Sequence, residues 1–432
     1  MQKNLQRKKS QSKDRENMKK ALVLCGGLPQ IALIQELKSR GIMTILADMN
    51  EKVAARAYAD KFYGVSVLDV DAVRQVAIEE KVDFIITVCA DQVLQVVAQI
   101  AEELGLPWYI DGKTAENVSK KSYMKEIFSK NNIPTSAYVI LEKLEEEKIS
   151  HLRYPLIVKP VDAYSSRGVR KVSNREELQE AFAVAVEISR TKTAVVEEFV
   201  TGNEITVDAY IENGKAYILC LSDLYKTGED GKFVINRSQI PANVSVEIAE
   251  KISCTAQKIA DAFRLTNTPM LIQLISNGTD ISVVEFCART GGGIKFLMIK
   301  KISGFDVVKA VVDLTLGETP HVGVIKKAEK YTVNEFIYCR PGKFVRAEGF
   351  EELLAQGVIS EFSVFKTPGT QFGEIRGSGD RLAYFSVEAK DLQTLREKHA
   401  MANATIKALD ENGEDMIRHD LIAKYYDTEE KE

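Results

Sequence analysis

Two Asn-Gly dipeptides, Asn213-Gly214 and Asn277-Gly278, each stand between apolar runs, and they mark the middle of this chain as antiparallel sheet. Asn and Gly both tolerate positive φ, which a tight hairpin turn demands. The pattern therefore predicts one hairpin with arms from Glu204 to Ile211 and Ala216 to Ser222. It predicts a second with arms from Met270 to Ile275 and Ile281 to Phe286. Helical periodicity predicts a helix from Val246 to Phe263 between the hairpins and another from Phe305 to Leu316 after them.

The N-terminal part has a different texture. Ala21-Leu22-Val23-Leu24-Cys25 reads as a buried strand, followed by Gly26-Gly27, a helix from about Pro29 to Ser39, and a second strand ending at Asp48. A strand from Asp83 to Val88 and a helix from Asp91 to Leu104 extend the series, as in an open parallel α/β sheet. Strand ends of such a sheet can cradle a small molecule. GxGxxG is absent, so Gly26-Gly27 reads equally as a structural turn. A lysine-rich helical stretch, Thr114 to Asn132, and a charged segment, Glu142 to Lys148, lead into the antiparallel part. After His321 comes a third unit of strands and helices, closing on a helix from about Asp391 to Asp410.

Composition narrows the function classes. In 432 residues, 58 Lys and Arg nearly balance 62 Asp and Glu, which argues against a general nucleic-acid or membrane-surface binder. Six cysteines and four histidines are scattered without CxxC spacing, so buried free thiols are expected rather than a zinc site. The apolar runs fall short of a membrane span. Residues 1–17 are polar and basic, an expected disordered tail with Met18 as an alternative start. A cytoplasmic location is the corresponding expectation.

Three segments carry chemistry. Lys159 ends the apolar run Tyr154-Pro155-Leu156-Ile157-Val158, where a lysine is costly to bury without an anionic partner. The loop after it, with Ser165, Ser166, Arg167 and Gly168, is of the small, hydroxylated kind that donates N–H and O–H groups to phosphate oxygens. A hairpin turn beside a snorkelling lysine is the plainer alternative. In Val196-Glu197-Glu198-Phe199-Val200, with Glu204 beyond, acceptors for a purine edge and a ribose occur in order. Alternation along Val283 to Arg289 puts Glu285, Cys287 and Arg289 on one face, either as an ion pair or as a site. Gly291-Gly292-Gly293 follows, and its entropic cost suggests close approach of backbone to a ligand.

Taken in order, Lys121, Tyr-Pro-Leu-Ile-Val-Lys159-Pro, Ser-Ser-Arg-Gly168-Val, Val-Glu197-Glu-Phe-Val with Glu204, and Glu285-Phe-Cys-Ala-Arg289-x-Gly-Gly resemble the ATP-grasp superfamily. The texture is nearest its amino-acid ligase-like branch, the carboxylate–amine ligases. No GxxxxGK[ST] loop competes with this reading. The resemblance implies an α/β and α+β architecture. A pre-ATP-grasp domain would span residues 18–114, the ATP-grasp domain 115–325, and a C-terminal α+β lid 326–432.

It further implies ATP with Mg²⁺ or Mn²⁺. Lys121 and Lys159 would sit on the phosphates, and Ser165, Ser166, Arg167 and Gly168 would form a closing loop. Glu197 and the backbone of Glu198, Phe199 and Val200 would read the adenine edge, with Glu204 on the ribose. Glu285 would bind the metal, and Arg289 would act on the transferring phosphoryl group. Two positions depart from the family pattern: Gln273 stands where a second metal-binding carboxylate is common, and Cys287 where Asn is. Both weaken the expected metal site, because Mg²⁺ prefers carboxylate oxygen.

The implied chemistry joins a small-molecule carboxylate to an amine through an acyl phosphate, without nucleic acid or membrane, in a chain whose family members are often homodimers. Two rivals are a biotin-dependent or purine-type carboxylase and an ATP-binding regulator with weak catalysis. Lys226, Arg237 and Gln239 lie where substrate contacts could arise, but exposed loop positions explain them equally.

Overall fold

A computed structural model describes residues 18–163, 168–227, 234–326 and 328–423. Four parallel strands open the chain: β1 (Lys20–Leu24), β2 (Met43–Ala47), β3 (Lys61–Tyr63) and β4 (Phe84–Ile86), in spatial order β3-β2-β1-β4. β1 is buried from Ala21 onward, as expected of a strand covered by helices on both faces. At its end Gly26 donates its N–H to Asp48 Oδ2 at 2.9 Å. A Cβ there would lie 2.2 Å from Val53 Cγ2, so Gly26 is a packing requirement of the turn. The helix Val70–Glu80 was not among the sequence-predicted elements. Its N-cap Asp69 and the buried trio Val73, Val76 and Ala77 carry the signal that would have found it.

The lysine-rich stretch forms two helices, Gly112–Ser119 and Lys121–Lys130, because Lys120 between them is extended. A four-stranded antiparallel sheet follows, made of β5 (Tyr138–Leu141), β6 (Leu156–Pro160), β7 (Arg170–Val172) and β8 (Ala194–Glu198), in order β5-β8-β6-β7. The next strands are β9 (Asn203–Glu212), β10 (Lys215–Thr227), β11 (Val234–Ile240), β12 (Thr268–Ser276), β13 (Ile281–Cys287) and β14 (Tyr331–Ile337).

Both expected hairpins form. Asn213 and Gly214 turn at φ 50° and 82°, whereas the second turn puts only Gly278 at positive φ and caps itself with Asn277 Oδ1. The helix expected over Phe305–Leu316 begins later, at Val307, because Asp306 caps it; a separate helix, Lys295–Ser303, precedes it. The closing helix is likewise shorter, Leu392–Thr405, with Asp391 as its cap.

An eight-stranded antiparallel sheet runs β13-β12-β9-β10-β11-β14 and continues into Ala383–Ala389 and Glu361–Val364. The expected division at residues 325 and 326 therefore falls inside a continuous sheet, where β11 pairs with β14 in the register Arg237↔Glu335. Along β9 the period of two separates the faces. Ile205, Val207, Ala209 and Ile211 join a core with Ile252, Ile259, Phe128 and Phe286. Glu204, Thr206 and Asp208 face the other way. No helix among the described residues is long and apolar enough to cross a membrane.

Candidate active site

A cleft lies between the four-stranded sheet and the eight-stranded one. β6 brings Lys159, β8 brings Glu197 and Glu198, β9 brings Glu204, β12 brings Gln273 and β13 brings Glu285. Lys121, Phe199 and Val200 line the same cleft, so side chains as far apart in sequence as Lys121 and Glu285 meet in one place. Ser165, Ser166 and Arg167 lie outside the described residues. Gly168 does not line the cleft; at φ 77° it packs on Pro160 and Ile188, where a Cβ would sit 2.8 Å from Ile188 Cδ1.

Among the described residues, each lysine lining the cleft is matched to an acid. Glu197 accepts from Lys159 at 2.5 Å, Lys125 at 2.7 Å and Ser136 at 2.8 Å. Burial alone would raise this carboxyl, but the Lys159 and Lys125 ammoniums hold it down at about 2. Glu197 thus anchors two lysines from within the cleft wall. Lys125, 1% exposed, was missed in sequence because it sits mid-helix without a motif. Lys226 pairs with Glu204 at 2.6 Å, leaving Glu204 Oε1 buried without a hydrogen bond among the described residues.

Lys121 lies 3.2 Å from Glu285 Oε2 and donates to the Ala163 carbonyl at 3.0 Å. Its charge, against the effect of burial, keeps the Glu285 carboxyl below the usual carboxylate range. Gln273 is the direct cross-strand partner of Glu285, and a bulge between Gln273 and Leu274 shifts the register beside them. Among the described residues no group of three or more His, Cys, Asp or Glu side chains gathers where a metal could sit. The local donors for a cation are therefore one carboxylate and one amide oxygen.

A second cavity opens beyond this end of the cleft, and the two share Asp91, Lys226, Gln273 and Glu285. Arg289 stands at that junction just past the end of β13, its guanidinium bound by both oxygens of Asp91 and by the Thr290 carbonyl at 2.6 Å. Asp91 has no signal of its own in sequence. The triple glycine was expected to approach a ligand; instead a Cβ at Gly291 would fall 2.8 Å from Asp208 Oδ1, so its close neighbour is protein. Gly292 and Gly293 line the second cavity.

Residues 152–297 match the ATP-grasp domain, and residues 335–408 match the L-amino acid ligase C-terminal domain 2. With the fold and cleft above, the chain belongs to the ATP-grasp superfamily. The C-terminal unit is similar to that of the L-amino acid ligases.

The L-amino acid ligase from Bacillus licheniformis superposes with a TM-score of 0.76 at 18% identity, over 91% of this chain and 99% of that one. The biotin carboxylase domain of Hydrogenobacter thermophilus 2-oxoglutarate carboxylase, solved as a dimer with MgADP, ADP and bicarbonate, gives 0.74 at 19% identity, over 93% and 91%. At these identities the likeness is one of fold. The carbamoyl phosphate synthase large chain of Clostridium acetobutylicum is 23% identical over 291 residues, 65% of this chain. The chain spans only 27% of the length of that relative.

Proposed function

We infer that this chain is an ATP-dependent carboxylate–amine ligase working through an acyl phosphate, with an amino acid as a substrate component. The observation that carries the reading is the junction of the two cavities. A cleft lined by lysines opens, at Glu285 and Asp91, onto a second cavity lined by Arg289. Ligation needs that arrangement. A carboxylate is a poor electrophile until a γ-phosphoryl group converts it to an acyl phosphate, and the amine must then reach it from a different side.

In this reading residues 18–114, 115–325 and 326–432 are the pre-ATP-grasp, ATP-grasp and C-terminal units of a cytoplasmic enzyme. The backbone of Glu198 to Val200 reads the adenine edge, and the unpartnered Glu204 Oε1 takes a ribose hydroxyl. Lys159 and Lys121 lie on the phosphates. Glu197 holds Lys159 and Lys125 in place, and the loop carrying Ser165, Ser166, Arg167 and Gly168 closes over the site.

Glu285, held as a carboxylate by Lys121, and Gln273 beside it fit Mg²⁺ as hard oxygen donors. They would hold it with most of its coordination left to phosphate and water, and the ion would neutralise charge on the phosphates. Arg289, oriented by Asp91, meets the charge that develops on the phosphoryl group. Because acyl phosphates hydrolyse readily, closure also serves to exclude water.

The test is product analysis with purified protein. ADP and phosphate should appear only when both an acid and an amine are supplied. AMP and pyrophosphate would overturn the acyl-phosphate route, and bicarbonate-stimulated turnover would move the chain to the carboxylases. Tight ATP binding without turnover across a broad screen would make it a regulator.

A further inference from the structure

Of the lysines and arginines that line the two cavities, Lys121, Lys159, Lys226, Arg289 and Lys295 each have an acidic partner: Glu285, Glu197, Glu204, Asp91 and Asp208. Arg381 lines the second cavity and has none among the described residues. It is nevertheless fixed. Nε donates to the Tyr338 hydroxyl at 2.9 Å, NH2 donates to the Ile235 carbonyl at 3.2 Å, and the guanidinium lies 3.7 Å from the centroid of the Phe336 ring.

These contacts use the Nε side of the guanidinium and one face of its plane. They leave the NH1–NH2 edge, where two parallel N–H groups match the two oxygens of a carboxylate. NH1 approaches Gly293, lying 3.9 Å from where a Cβ there would be. A cation held over an aromatic ring, with NH1 beside a glycine of the same cavity wall, is placed to receive an anion.

The position of Arg381 says which anion. It lines the second cavity and not the nucleotide cleft, whereas the acid to be phosphorylated must lie at the shared residues Glu285 and Asp91. A carboxylate held by Arg381 is therefore one that is not activated. The amine must approach the acyl phosphate from the side away from the nucleotide, which is the side of this cavity. We propose that Arg381 binds the carboxylate of the amine component and is the residue that discriminates a carboxylate-bearing amine from one without it. This rests on the ligase reading, and its test separates the two.

Each of the twenty protein L-amino acids is supplied as amine, alongside its own carboxamide, against a pool of acid substrates. Wild type should ligate at least one amino acid and should disfavour its amide. In Arg381→Gln the KM for that amino acid should rise roughly 10- to 100-fold, the scale of losing a charged hydrogen-bonding partner, while the amide and ATP are unaffected. Arg381→Lys, which keeps charge without the fork, should fall between. Because amino acid and amide are compared in one variant, general damage to the fold lowers both and leaves their ratio unchanged.

An unchanged ratio in Arg381→Gln, or wild-type indifference to amidation, overturns the assignment and leaves the ligase reading standing. A defect confined to acids bearing a second carboxylate overturns it too. Absence of ligation across the whole panel sinks the ligase reading and this inference with it.

Discussion

Asp91 grips Arg289 with both carboxylate oxygens, Oδ1 to Nε and Oδ2 to NH2, across 198 residues of sequence. The pair ties the turn after β4 to the end of β13, so the N-terminal sheet orients the residue assigned to phosphoryl transfer. Arg289→Ala should leave ATP binding largely intact while turnover falls roughly 10²- to 10³-fold, the scale of losing one preorganised charge donor. Removal of Asp91 instead strands a guanidinium that is only 10% exposed. Fully buried pairs cost more when broken, but Asp91 keeps some access to water, so Asp91→Ala should cost about 2 kcal/mol by denaturant titration. Equal loss of ATP binding and turnover in Arg289→Ala would make the arginine a structural strut.

Glu197 supplies a pH signature. Its folded value, about 2, lies below the ordinary 4.5, because Lys159 and Lys125 outweigh the effect of burial. A depressed carboxyl contributes stability that is fully present above pH 4.5 and is lost as pH falls towards 2. Over that window this one group should account for about 3 kcal/mol. Glu197→Gln should be less stable than wild type at pH 7, with two lysines left unpaired, and should lose less on acidification. Parallel stability curves from pH 5 to pH 2 would show that Glu197 is not the group responsible.

What could be read in the sequence was local, and what could not was pairing at a distance. The Asn213-Gly214 turn and the buried run of β1 declare themselves within a few residues. So did Lys159, Glu204 and Glu285, each at the end or edge of a strand with a recognisable neighbourhood. Lys125 gave no such sign, since its meaning depends on Glu197 being brought against it by β8. Asp91 was equally silent until β13 placed Arg289 beside it. The continuous sheet across residues 325 and 326 rests on the register Arg237↔Glu335, which no local pattern encodes. Gly291 misled for a related reason: a glycine required by close packing looks the same in sequence whether its neighbour is a ligand or Asp208.

Thiol chemistry should divide the cysteines by place. Burial pushes the Cys25 and Cys89 thiols up to about 12, and Cys287 well above its ordinary value. Cys220 and Cys339 are buried, whereas Cys254 is exposed on the helix Val246–Ala262. Iodoacetamide at pH 8 should therefore modify Cys254 first, because only an accessible thiolate reacts. Peptide mass spectrometry reads the order directly, and early labelling of Cys287 would contradict the burial that raises its thiol.

Glu204 gives a test of nucleotide orientation that is independent of the metal. Its Oε2 is held by Lys226 at 2.6 Å while Oε1 is buried without a hydrogen bond, an arrangement that costs free energy unless a hydroxyl supplies the proton. Glu204→Gln keeps the shape but weakens the acceptor and breaks the ion pair. The expected result is a rise of roughly tenfold in the KM for ATP with kcat nearly unchanged, since a ribose contact serves ground and transition states alike. The same variant should discriminate less between ATP and its 2′-deoxy analogue than wild type does. If wild type already treats the two nucleotides alike, and Glu204→Gln alters kcat instead, then the nucleotide lies in the cleft the other way round and Glu204 belongs to the phosphate end.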